Sequence, residues 1–166
     1  YTHVHILAHG GQLAKSDQRF GLTLCDAHDP KAIKWVGGET LALALTGVDQ
    51  AGTCRRTPTF VSLATCDSGQ VGSVIAPGGS IAHELNAAGI SWVVASQFPL
   101  WMRASTIAVD VLYSGLLRGN DPRWVLYQLR TRLRTDSDST HDWASIVAYA
   151  TAPSDFVDQL RNFRNL

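Results

Sequence analysis

The sequence predicts an α/β fold in which helices cover both faces of a mostly parallel β-sheet. Three apolar segments have the composition of buried strands, at residues 3–8, 60–65 and 90–96. Segments with helical periodicity follow the second and the third of these strands. Strands that alternate with helices in this way are typical of a parallel sheet, because each helix carries the chain back across a face of the sheet.

The size and composition are those of one soluble domain. The chain has 166 residues and 45% of them are apolar, which is enough to build a core. Fourteen basic and fourteen acidic residues cancel, and no stretch concentrates either sign, so direct nucleic-acid binding is not expected. No apolar run approaches the roughly 18 residues of a membrane span, so no membrane association is expected. Three cysteines are too few for a disulfide framework and favour a reducing compartment, the cytoplasm.

The predicted strands differ in pattern and in how they end. In chain order they cover residues 3–8, 20–25, 60–65, 90–96 and 143–149. The first strand turns apolar towards its end and is expected to stop at His9, Gly10 and Gly11, before a polar loop. The second strand is short and is expected to form half of a hairpin. A long loop rich in Gly, Ser and Pro follows the third strand, and such loops are often functional.

The predicted helices have recognisable start and stop signals. They cover residues 39–45, 81–88 and 101–117, and a fourth begins at Pro122. Ser80 is placed to cap the second helix, and Asp121 to cap the fourth. Glycines are expected to close the first three helices: Gly47, Gly89 and Gly119.

Two residues with catalytic chemistry follow two of the buried strands. Cys66 comes directly after residues 60–65, and His9 comes directly after residues 3–8. In open α/β sheets, ligands bind at the carboxyl ends of the strands. A cysteine attacks as its thiolate, and an imidazole within reach supplies the base that it needs. The backbone N–H groups of Gly10 and Cys66 are candidate donors to the oxyanion that such an attack produces.

Each of these residues taken alone has a structural interpretation. A single cysteine at a strand end is more often a small apolar core residue than a nucleophile, and a single histidine is more often a packed one. The pairing of His9 with Cys66 at two strand ends favours catalysis. Cys25 and Cys54 have no comparable setting and are interpreted as structural.

A metal site is a less favoured interpretation of the histidines. His3, His5 and His9 share one face of a regular strand. No Asp, Glu or Cys cluster follows at ligand spacing, so we expect no metal and interpret His3 and His5 as packed, hydrogen-bonded residues.

An esterase of the α/β-hydrolase type is a second, also less favoured, alternative. In this interpretation, residues 8–11 form an oxyanion loop and Cys66 acts with Asp110 and His141. The nucleophile turn of such enzymes normally has glycines at the positions of Ala64 and Ser68, which argues against it.

The motifs resemble those of the caspase-like cysteine peptidases, and specifically the bacterial CHAT domains that are often attached to helical repeats. Four segments carry the resemblance, which covers nearly the whole chain: residues 4–10, 61–69, 82–96 and 142–147. The histidine and cysteine motifs occur in the family's order, about 50 residues apart as in caspases.

The resemblance implies a caspase-like fold and a cysteine endopeptidase. Carried over by motif, the catalytic histidine is His9, the nucleophile is Cys66, and Gly10 supplies an oxyanion donor. The implied reaction cleaves a peptide bond of a protein or peptide substrate through a thioester acyl-enzyme, without a cofactor. The candidate substrate contacts are Ser96, Gln97, Phe98 and Asp67. For Asp67, selection of a basic substrate residue is one interpretation, and capping of the next turn is the favoured one.

Some positions depart from the family pattern. Caspases have Gln before the cysteine and metacaspases an acidic residue two positions before it, whereas this chain has Thr65 and Ala64. The family fold also has strands upstream of the histidine strand. We therefore expect residues 1–166 to be the C-terminal peptidase domain of a longer protein, regulated by an upstream region or partner that contains helical repeats. The remaining alternative is a catalytically inactive scaffold that keeps the fold only for binding.

Overall fold

In the computed structural model, the chain forms six strands and five helices. The residues described are 2–14, 17–26, 28–29, 31–47, 57–65, 80–98, 100–136, 141–156 and 158. The strands are β1 (His3–Ala14), β2 (Asp17–Cys25), β3 (Ile33–Gly37), β4 (Phe60–Thr65), β5 (Trp92–Ser96) and β6 (Ile146–Ala150). The helices are α1 (Gly38–Thr46), α2 (Ile81–Ala87), α3 (Met102–Leu116), α4 (Pro122–Asp136) and α5 (Asp142–Ser145). None of the described helices has both the length and the hydropathy that crossing a membrane requires.

All six strands belong to one sheet, in the order β3-β2-β1-β4-β5-β6. The central pairs β1–β4 and β4–β5 are parallel. The outer pairs β1–β2, β2–β3 and β5–β6 are antiparallel. The predicted α/β class is confirmed, and the sheet is mixed, with its parallel part in the middle.

Helices pack on both faces of the sheet, as predicted. Val61, Leu63 and Val93 point to one face, here called the α1 face, and form a core with α1 and α2. Phe60, Trp92 and Val94 point to the opposite face, here called the α3 face, and form a second core with α3 and α4. Alternation along β4 and β5 produces this division, because successive side chains of a strand point to opposite sides. All five side chains of β5 are buried, as expected for a strand with helices on both sides.

Several predicted elements are confirmed where local signals are strong. The bounds of β4 agree with residues 60–65 of the prediction. The Ser80 side chain accepts a hydrogen bond from the His83 backbone N–H and so caps α2, as predicted. Gly89 follows that helix with φ +98°, a conformation that favours glycine. Asp121 caps α4 by accepting from the Arg123 N–H at 2.9 Å.

The first predicted strand was expected to end at His9, and this was wrong. Strand β1 runs on through Gly10 and Gly11 to Ala14, and this second half pairs with β2 in antiparallel register. A cross-strand contact explains why glycine fits here, since a Cβ on Gly11 would lie 3.0 Å from the Trp35 ring. Glycine at this position therefore makes room for a neighbouring side chain and does not mark a turn.

Two further expectations need correction. Strand β3 was not predicted, because its apolar residues are largely exposed and the segment lacks a buried pattern. The last strand was predicted over residues 143–149, but its first part forms the short helix α5 and β6 begins only at Ile146. The long loop predicted after Cys66 lies outside the described residues.

The α3–α4 pair packs closely at one glycine. A Cβ on Gly115 would lie 2.6 Å from Cγ2 of Val125, which is buried in α4. The absence of a side chain at Gly115 therefore allows the two helices to approach each other. Tight α3–α4 packing fixes the position of the layer that covers β4, β5 and β6.

Candidate active site

The two strands that lead to the predicted catalytic pair are neighbours in the sheet. Strands β1 and β4 pair in parallel, with Ala8 opposite Thr65. His9 is the next residue after Ala8, and Cys66 is the next residue after Thr65. Cys66 and Asp67 themselves lie outside the described residues. The register thus places the residues that directly precede His9 and Cys66 next to each other on neighbouring strands.

His9 lies where β1 leaves β4 and continues with β2 alone. Its register partner on β2 is Thr23. Because side chains alternate along a strand, His9 points to the same face as His3 and His5, which is the α3 face. The His9 side chain is exposed there. It is therefore on the surface of the sheet, although not at the end of a strand as the sequence predicted.

Gly10 has a different setting from the one expected. It was predicted to lie in a turn, but it pairs with Leu22 of β2 in the antiparallel ladder. Because neighbouring residues of a strand face opposite sides, Gly10 is on the α1 face of the sheet, whereas His9 is on the α3 face. The role of its N–H as an oxyanion donor stays a prediction.

The candidate substrate contacts at the end of β5 have unequal exposure. The Ser96 side chain is buried, where it donates to the Phe98 carbonyl and lies 3.0 Å from Ser145 Oγ. The Gln97 backbone N–H donates to the Ser145 carbonyl at 2.8 Å. Phe98 is 59% exposed. Ser96 is thus held in a hydrogen-bonded interior, and Phe98 is the most exposed of the three.

These residues lie at the level of the sheet where β4 ends and the chain enters the Cys66 motif. Strands β4 and β5 are parallel, with Leu63 opposite Ala95. When the same register is extended by two residues along both strands, Gln97 is level with Thr65, the last residue of β4. Phe98 is the next residue along the chain, as Cys66 is after Thr65. The structure therefore brings the exits of β1, β4 and β5 to one rim of the sheet.

A hydrogen-bonded group beneath this rim was not predicted in detail. His5 Nδ1 lies 2.6 Å from Ser62 Oγ, and Ser62 Oγ lies 3.2 Å from the Tyr113 hydroxyl of α3. The His5 and Tyr113 rings also meet edge to face. This group joins β1, β4 and α3 through side chains on the α3 face. His5 is hydrogen-bonded, as predicted, although its side chain keeps an exposed surface.

Burial changes the titration of this group. Partial desolvation lowers the pKa of His5, because a charged imidazole is less favourable away from water. Desolvation also raises the pKa of Tyr113, and the hydrogen bond with Ser62 opposes that rise. Both shifts favour the neutral forms. The described residues contain no cluster of three or more His, Cys, Asp or Glu side chains placed to hold a metal ion.

The alternative esterase residues are not brought together. Asp110 is exposed on α3 and lines a groove between α3 and α4. His141 is exposed and precedes α5. Within the described part of the chain, the two side chains share neither a hydrogen bond nor an ion pair.

Comparison with known protein families gives one match. The model of the CHAT domain family matches residues 1–151, which is most of the chain. No curated protein gives a significant match. The matched residues include β1, β4 and β5 with the rim that they form.

Proposed function

The chain belongs to the CHAT domain family, and from this premise we propose that it is a cysteine endopeptidase in which Cys66 is the nucleophile and His9 the proton carrier. The register of β1 and β4 is the observation that supports the proposal most. Family membership supports the caspase-like class of chemistry, and the register supports the choice of residues.

The geometry of paired strands explains the choice. Ala8 and Thr65 are register partners on adjacent strands, and strands in a sheet lie about 4.8 Å apart. The next residue of each strand therefore starts from a position close to that of its neighbour. Side chains at such positions can approach to the distance of a hydrogen bond, which proton transfer requires. The exposure of His9 leaves room for a substrate beside it.

The proposed reaction has two steps. His9 takes the thiol proton, and the Cys66 thiolate attacks the carbonyl carbon of the substrate. The C–N bond breaks, the amine leaves with the proton carried by His9, and a thioester remains on Sγ. Water then adds to the thioester, the S–C bond breaks, and the thiol is restored. Backbone N–H groups near the nucleophile, including that of Gly10, are proposed to stabilise the oxyanion of each step.

The substrate and the biological setting follow from the resemblance. We propose that the substrate is a protein or peptide, and that a regulatory region outside this chain controls its cleavage. We propose a cytoplasmic location, because three cysteines are too few for a disulfide framework and favour a reducing environment. Gln97 and Phe98 are the proposed substrate contacts at the end of β5, since both lie at the rim.

Labelling with a peptide acyloxymethyl ketone tests the proposal. The reagent carries a mixture of residues next to its reactive group, and mass spectrometry identifies the modified cysteine. We expect modification of Cys66 and its loss in Cys66→Ala. Cys25 is the matched control, because it is a free and exposed thiol on β2. It should stay unmodified.

Two histidine variants separate the possible mechanisms. His9→Ala should reduce the labelling rate about 100-fold or more, since general acid–base catalysis contributes 10²–10⁴-fold. His141→Ala should label like the parent protein. The reverse pattern would support the esterase alternative, and equal labelling of Cys25 and Cys66 would indicate an inactive scaffold.

A further inference from the structure

A buried carboxylate on α5 lacks a complete set of partners. Asp142 is only 4% exposed. Its Oδ2 atom is shielded from solvent and has no hydrogen-bond partner among the described residues. A buried charge that is not paired costs several kcal/mol, so proteins almost always pair it. Asp142 therefore has an acceptor that is available to a cation.

The backbone of Asp142 is linked by hydrogen bonds to the α3 face of the sheet. Trp92 and Val94 of β5 point to this face, and alternation places Ser96 on it as well. Ser96 Oγ lies 3.0 Å from Ser145 Oγ, which in turn donates to the Asp142 carbonyl at 2.9 Å. Two hydrogen bonds thus join the end of β5 to the backbone of Asp142. His9 points to the same face, so the backbone of Asp142 is joined to the side of the sheet on which the proposed catalytic histidine lies.

The end of β5, to which α5 is hydrogen-bonded, lies within about 12 Å of the proposed catalytic histidine, measured between backbones. Ser96 is level with Ala64, two residues before Cys66 in the chain, and its strand is the neighbour of β4. With about 4.8 Å between strands and 3.3 Å per residue, the backbones of Ser96 and His9 lie about 12 Å apart. Lysine and arginine carry their charge at the end of a long apolar stem. Such a side chain can extend from a peptide held at the rim towards Asp142.

The described surroundings supply no cation for this carboxylate. Arg130, on the adjacent helix α4, donates through Nε and Nη2 to the Ile146 carbonyl. Arg134 lies over the Trp143 ring. Arg132 pairs with Asp136. The arginines of α4 nearest in sequence to α5 thus have other partners in the part of the chain that the structure describes.

We propose that Asp142 selects a substrate with a lysine or arginine beside the bond that is cut. This inference rests on the proposed peptidase function and adds the class of substrate. The ammonium or guanidinium group would pair with Oδ2, with the Ser96–Ser145 hydrogen bond holding α5 in place. Because Oδ2 is closed off from solvent, the entering side chain has to open a path to it. Asp67 was one sequence candidate for this role, although capping of the next turn was the favoured interpretation, and Asp142 is a different candidate.

Two peptide acyloxymethyl ketones that differ in one group test the selection. One carries arginine next to the reactive group, and the other carries citrulline, which has nearly the same shape without the charge. We expect the parent chain to react with the arginine reagent about tenfold faster or more, as for a buried charge pair. Asp142→Asn should bring the two rates together while the citrulline rate stays within about twofold of the parent.

Two further variants separate recognition of charge from loss of structure. Asp136→Asn makes the same change at a carboxylate of α4 that already pairs with Arg132, and it should keep the arginine preference. Asp142→Glu keeps the charge and should retain part of the preference. An arginine preference that survives in Asp142→Asn, or is missing from the parent chain, would overturn the proposal.

A binding measurement distinguishes this proposal from the peptidase function. In the Cys66→Ala chain, agmatine is titrated while the melting temperature is followed. A rise in melting temperature that disappears in Cys66→Ala/Asp142→Asn would support the cation site even if no reagent labelled Cys66. No rise in the Cys66→Ala chain would count against the cation site, whatever the labelling shows.

Discussion

The two halves of the sheet differ in how their α3 face is covered. Helices α3 and α4 cover β4 to β6, where Phe60, Trp92 and Val94 are all buried. On the same face of β1 and β3, Leu7 and Trp35 are 63% and 48% exposed. The proposed active site lies at the boundary between these halves. The covered half can hold side chains rigidly, and the open half leaves His9 accessible.

The largest expected effect contrasts one leucine from each half. Leu129→Ala removes a fully buried side chain from the core under α4 and should lower the free energy of unfolding by about 2–5 kcal/mol. Leu7→Ala removes an exposed side chain from the open half and should change it by no more than about 0.5 kcal/mol. Urea unfolding measures both. Similar losses would show that the two halves do not differ in this way.

The next effect tests how tightly the covering helices pack. Gly115→Ala places a Cβ against Val125 and should cost about 1–3 kcal/mol by overpacking. Ser114→Ala, at an exposed position beside it, is the control and should be close to neutral. A neutral Gly115→Ala would mean that α3 and α4 can separate without cost.

The hydrogen-bonded group at the boundary should give a smaller effect. Ser62→Ala leaves both His5 Nδ1 and the Tyr113 hydroxyl without their shared partner and should cost about 1–2 kcal/mol. Tyr113→Phe removes only the longer of the two bonds and should cost less. The melting temperatures of the two variants show which one loses more stability. An equal or larger loss for Tyr113→Phe would contradict the role given to Ser62.

The smallest effect concerns pH. Burial lowers the pKa of His5 below its ordinary value of 6.5, so the unfolded chain binds this proton more readily than the folded protein. The free energy of unfolding should therefore fall as the pH decreases below about 6.5. His5→Gln should reduce that slope, and His83→Gln, at an exposed position on α2, should leave it in place. An unchanged slope in His5→Gln would contradict the attribution of this pH dependence to His5.

The elements that sequence predicted well carry their signals locally. Strand β4 is a short, continuous apolar segment, and the Ser80 cap of α2 depends on residues within one helical turn. Strand β3 could not be predicted in this way, because Ile33 and Trp35 point to the open half and are not buried. The continuation of β1 through Gly10 depends on pairing with β2, which is a contact between strands.

The candidate site shows the same division. The residue types at His9 and Cys66 and the apolar segments that precede them could be read from the sequence. The β1–β4 register could not, because it is set by tertiary packing. The same holds for the contact of His5 with Ser62, which joins residues 57 positions apart. Asp142 begins one of the segments that carry the resemblance, but its burial and its unsatisfied oxygen could not be predicted, because they are properties of the folded chain.

A disulfide-trapping measurement tests the central claim, that β1 and β4 bring positions 9 and 66 together. Cys25 and Cys54 are replaced by serine, and His9→Cys is introduced. Neighbouring strands place paired Cα atoms about 4.8 Å apart, within the range in which a disulfide closes. The matched control, His3→Cys, lies on the same face but about 20 Å further from position 66 along the strand. We expect mild oxidation to join Cys66 to position 9 and not to position 3. No disulfide at position 9, or equal formation in both variants, would contradict the account.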